Sequence, residues 1–131
     1  MVQVIKQPQV GDVSLPVFLS RLAGIFIILG SLSLFTMLLF HGSAIIMIGP
    51  WHMYYITNSY WLTAFMASIS ISMGGLIVYS SYKMDRQPEN KVWGIMIILG
   101  SLIGLFYLGG FGLGGILGMI GGVMGLRCTK R

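Results

Sequence analysis

Four residues could begin a chemical argument in this chain of 131 residues: His41, His52, Met53 and Cys128. Imidazole with thioether is a soft donor set of the kind that takes Cu(I). The set stops at three, with no carboxylate or thiolate beside it, and a partner subunit would have to supply the rest. His41, His52 and Met53 are therefore metal candidates on donor type alone, and no metal or other cofactor is expected. Of the ten methionines, Met37, Met47, Met66, Met73, Met96, Met119 and Met124 are scattered without a Met-x-x-Met repeat, which suits flexible gap-filling between helices better than copper handling. Cys128 stands beside Arg127 and close to Lys130 and Arg131. Cations can activate a thiol, and a juxtamembrane Cys can carry a lipid. No His or Asp adjoins it, so it reads as an inert thiol, and a single Cys excludes an internal disulfide. Gly112-Leu-Gly-Gly has the look of a phosphate loop, yet it lies in an apolar run with no strand before it and no polar setting, which excludes that use.

The elements that hold these residues are apolar throughout. Hydrophobic residues make up 56% of the chain and charged ones 8%, far below the ~25% of soluble domains. Four runs stand out, at about 22–40, 61–82, 92–108 and 110–126. At 1.5 Å per residue, 19 helical residues nearly match a bilayer core of roughly 30 Å. Residues 1–20 read as an N-terminal tail in which Pro8, Gly11 and Pro16 interrupt any helix, and residues 127–131 as a basic tail. The first run is longer than the core of a secretory signal and is read as retained.

Charge orders the runs. Lys6 and Arg21 precede the first; Lys83, Arg86 and Lys91 lie between the second and third; Arg127, Lys130 and Arg131 follow the fourth. Residues 41–60 and the turn near 109–111 carry no charge. Four spans put all the basic segments on one side, which by the positive-inside rule is the cytoplasmic side and holds both termini. No Asp, Glu, Lys, Arg or His falls inside the four runs. Proton relays, ion-coupled carriers and voltage sensors depend on such groups, so those classes are disfavoured, as is haem held by two intramembrane histidines.

Small residues set the contacts between runs. Twelve of the 19 glycines lie between Gly94 and Gly125. Gly114, Gly118, Gly121 and Gly125 form one helical stripe, a groove against which another helix can press. Ala64, Ser68, Ser72 and Gly75 form a second on the second run. The last two runs are expected as a tight antiparallel hairpin. Pro88 should stop any helix entering the polar 83–91 connector. The uncharged 41–60 segment gathers Trp51, Tyr54, Tyr55, Tyr60 and Trp61, amphipathic rings that settle at a lipid–water boundary. It is expected to lie flat on the outer surface or cap the bundle, with room for a short interfacial helix.

The stretch from Gly109 to Gly122 resembles the last helix of small four-span prokaryotic, notably archaeal, membrane proteins of unassigned function, in which Gly-Gly-Phe-x-x-Gly-Gly-Ile-Leu-Gly-x-Ile-Gly-Gly recurs. The resemblance implies the fold and brings no catalytic residues. The fold expected is all-α: an integral four-helix bundle of the cytoplasmic membrane. The function expected is a non-catalytic accessory subunit among other integral membrane subunits and lipids, with no nucleic acid. Its hosts would be a respiratory oxidase or a copper-containing membrane monooxygenase. The alternative is a homo-oligomeric lipid-interacting or sensing protein joined through the Gly stripe. A third class, a small channel or carrier, would need a polar path through Thr63, Ser68, Ser70, Ser72 and Ser101.

Overall fold

The computed structural model describes residues 13–48, 53–107 and 113–129. Four helices carry the fold: α1 (Ser14–His41), α2 (Tyr60–Arg86), α3 (Lys91–Tyr107) and α4 (Leu113–Thr129). Between α1 and α2 lie two short strands, β1 (Ala44–Ile48) and β2 (Met53–Thr57).

α1 starts seven residues before the polar tail was expected to end. Pro16 falls in its first turn, where backbone N–H groups have no partner within the helix, so its missing donor and fixed φ do no harm there. The helix stops at Gly42, which adopts φ 67° and returns its N–H to the Leu38 carbonyl at 2.9 Å. α2 opens on Ser59, whose hydroxyl accepts from the Leu62 N–H at 3.4 Å. Its last turn closes with the Gln87 N–H on the Lys83 carbonyl, immediately before Pro88, as the ring's steric demand on the preceding residue requires. The Asn90 side chain accepts from the Val92 N–H at 3.2 Å and opens α3.

The helices stand antiparallel in a square. Each packs on its neighbours in sequence, and α4 closes the ring against α1. The register can be read from the contacts: Gly24 against Gly74, Ile77 against Gly100, Gly94 against Gly122 and Ala23 against Gly118. The α3–α4 pair is antiparallel as expected, while its connection, residues 108–112, lies outside the described residues.

The interior is made of small residues. On α2 the buried positions Thr63, Ala67, Ser70, Gly74, Ile77, Ser81 and Met84 alternate spacings of four and three. That seven-residue repeat is the seam of left-handed helix packing. α1 contributes Ser20, Ala23, Gly24, Ile27, Gly30 and Ser31 to the same interior. The large apolar side chains mostly point the other way, among them Phe18, Leu29, Phe65, Leu99 and Ile116, each more than half exposed or close to it. In a water-soluble bundle this distribution would be reversed, because burial of large apolar side chains is what drives folding in water. α1 and α2, at 28 and 27 residues, are long and apolar enough to cross a membrane.

The 41–60 segment departs from the expected flat loop or short helix. β1 and β2 pair antiparallel, from Ala44 opposite Thr57 to Ile48 opposite Met53. Ile45, Ile46 and Ile48 face Ile56, Tyr55 and Met53 across the ladder, and β-branched and aromatic residues favour extended pairing.

Candidate functional site

Two faces of small residues were expected, and the structure treats them in opposite ways. Gly114, Gly118, Gly121 and Gly125 on α4 are all buried. A methyl group at Gly114 would lie 3.0 Å from the Ala23 carbonyl oxygen, and one at Gly121 would lie 3.1 Å from that of Pro16. At Gly118 it would collide with the Ser101 hydroxyl, and at Gly125 it would come within 2.6 Å of the Met84 sulfur. The stripe is therefore covered by α1, α3 and α2 of the same chain. Self-association through it, the form in which homo-oligomerisation was expected, has no free surface to use.

The α2 stripe looks outward. Ser68, Ser72 and Gly75 are exposed and Ala64 is half-buried. Among the described residues nothing lies within 4 Å of where a Gly75 methyl would stand. The two hydroxyls turn back on their own helix: Ser68 Oγ donates to the Ala64 carbonyl at 2.7 Å and Ser72 Oγ to that of Ser68 at 2.8 Å. The polar atoms are thus satisfied without water, and Phe65 and Ile71 are exposed on the same helix. The face of α2 that meets α1 and α3 is the adjacent one, Thr63-Ala67-Ser70-Gly74-Ile77.

The contact that joins α1 to α2 was missed. Gly24 and Gly74 face each other, so that a methyl on either would sit 2.8 to 3.0 Å from the other's carbonyl oxygen. The signal lay in the repeat: on α2 the inner face continues through Ile77, Ser81 and Met84, whereas the outer one runs into Tyr79 and Tyr82. The five hydroxyls of a hypothetical polar path are also divided. Thr63, Ser70 and Ser101 are buried inside, and Ser68 and Ser72 are outside. Thr63 and Ser101 donate to carbonyls one turn back in their own helices, at 3.1 and 2.6 Å.

Of the metal candidates, the structure describes the placement of His41 and Met53. His41 ends α1, exposed, beside the base of the β1–β2 ladder. Met53 pairs with Ile48 at the opposite end of that ladder, about 13 Å of strand away. His52 lies outside the described residues, as does Trp51. No group of three His, Cys, Asp or Glu stands together among the described residues. Of the aromatic cluster, Tyr54 and Tyr55 belong to β2, and Tyr60 and Trp61 open α2 with Trp61 88% exposed.

Charge collects at the other end of the bundle. Arg21, Lys83, Asp85, Arg86, Lys91 and Arg127 all fall where α1 begins, α2 ends, α3 begins and α4 ends. Because α1 and α2 run past the apolar runs at this end, Arg21, Lys83 and Asp85 are helical. Arg21 Nη2 donates to Asp85 Oδ2 at 3.1 Å, joining α1 to α2, with both side chains about half exposed. Arg86 lies 4.6 Å from the Tyr82 ring centre, and Tyr79 meets Trp93 edge to face at 6.1 Å. At the same end Ser20 Oγ, Ser80 Oγ and Trp93 Nε1 are buried without a hydrogen-bond partner among the described residues.

No protein-family model, no curated protein and no solved structure matches the chain.

Proposed function

We propose that this chain is a non-catalytic subunit of a larger assembly in the cytoplasmic membrane, crossing it four times with both termini inside. The outward stripe Ala64-Ser68-Ser72-Gly75 is the observation that carries the reading. Small residues at this spacing let a second helix backbone approach closely, and in lipid that close packing is a main source of helix–helix attraction. The chain's own helices leave this stripe open while filling every position of the α4 stripe. The orientation rests on charge: the basic residues gather at one end of the bundle, and the β1–β2 end carries none. The outward large apolar side chains suit a lipid surround.

The test is a photo-crosslinking residue at Ser72, with Leu99 on α3 as control, in the native membrane. An adduct with a different integral membrane protein, formed at Ser72 and absent at Leu99, supports the subunit reading. An adduct of twice the chain's mass would favour the homo-oligomer instead, now through α2. A lone chain in mild detergent with no adduct at either position would sink both. If the host is an energy-transducing oxidase or a copper-containing monooxygenase, haem absorbance or copper should travel with the tagged chain.

A further inference from the structure

The Arg21–Asp85 pair lines an open groove of about 530 Å³ between the first turns of α1 and the last turn of α2. Ser14, Leu15, Val17 and Phe18 complete its lining, and Leu15 and Phe18 are more than half exposed. The two charges are joined by a single hydrogen bond. Arg21 has five N–H donors and uses one of them among the described residues; Asp85 Oδ1 accepts nothing there. Among the described residues, then, a half-exposed guanidinium with unused donors stands next to a carboxylate with an unused oxygen, in a groove also lined by Leu15 and Phe18.

We infer that this groove binds the headgroup of a zwitterionic amine phospholipid of the phosphatidylethanolamine type. The phosphate takes the free Arg21 donors, a geometry guanidinium suits well. The primary ammonium donates to Asp85 Oδ1, and the glycerol and upper acyl chain lie along Leu15 and Phe18. An anionic glycerol headgroup fits less well, since it offers Asp85 no cation and leaves two negative charges side by side. The inference rests on the membrane reading above.

Vesicle flotation comes first, with the full chain and vesicles of phosphatidylglycerol alone or mixed with phosphatidylethanolamine. A chain that floats with neither overturns the membrane reading and this inference together. A chain that floats is then purified in detergent and titrated with short-chain phosphatidylethanolamine or phosphatidylglycerol, read by native mass spectrometry. Retention of the ethanolamine lipid is expected to be about fivefold stronger, the scale of one exposed charge contact. Equal retention by the unaltered chain overturns the inference while leaving the membrane reading intact. Asp85→Asn should abolish the preference and Arg21→Gln should weaken both lipids, with helical content unchanged by circular dichroism. Soluble phosphoethanolamine should compete poorly; displacement by it as effective as by the whole lipid would assign the groove to a free phosphate amine and overturn the lipid assignment.

Discussion

The inner stripe of α4 and the outer stripe of α2 are both built from small residues three and four positions apart, all glycine on α4 and mostly Ala and Ser on α2, yet one is the molecule's interior and the other part of its surface. What separates them is the company they keep. Gly118 has Ser101 and Ala23 against it, whereas Gly75 has nothing among the described residues. A sequence motif of small residues specifies that a helix can be approached, and the rest of the fold decides from which side. Substitutions that enlarge the two stripes should therefore fail in different assays.

The largest effect is expected inside. Gly24→Leu pushes a side chain into the Gly74 carbonyl, which is backbone and cannot swing away, and should destabilise the bundle by on the order of 3 kcal/mol. Denaturant titration in detergent, followed by circular dichroism, measures it; an unchanged midpoint would mean that α1 and α2 do not meet there. Gly118→Ala adds one methyl against the Ser101 hydroxyl, whose rotation gives partial relief, and about 1–2 kcal/mol should be lost. Outside, Ser68→Leu together with Gly75→Leu should change the unfolding free energy by no more than about 0.5 kcal/mol. The same pair should remove the Ser72-centred crosslink to a partner subunit. If both stripes proved equally sensitive to unfolding, the contrast between them would be void. The smallest effect concerns Ser80, whose buried hydroxyl has no partner among the described residues. Ser80→Ala should be neutral or stabilise by less than about 1 kcal/mol, since it removes an unsatisfied group and little volume. A clear loss of stability would show that the hydroxyl is engaged in the native state.

The four helices were legible because four long uncharged apolar runs are rare in soluble chains. Their ends were not. The fourth run ends at 126 by composition, while α4 continues to Thr129. The first begins at 22, while α1 begins at Ser14, because hydropathy registers Arg21 as an end and backbone geometry does not. Pro16 misled for a related reason: proline breaks a helix interior and is harmless in a first turn. The strands were visible in principle. Ile45, Ile46 and Ile48, then Tyr54, Tyr55, Ile56 and Thr57, flank Gly49-Pro50, a strand–turn–strand pattern. The aromatic rings were instead assigned wholly to the membrane boundary, and that explanation concealed the pairing. The Arg21–Asp85 pair, 64 positions apart, had no local signal at all.

The unequal apolar runs have a consequence for the surrounding lipid. The runs of the third and fourth helices are 17 residues each, roughly 25 Å, against 22 residues, about 33 Å, for that of the second. In a bilayer the α3–α4 flank would ask for a thinner hydrocarbon layer than the α1–α2 flank, so the molecule would lean or pinch the leaflets on one side. Thickness itself would then act as a sorting force, drawing this protein toward thin membrane and toward neighbours whose short flank matches its own.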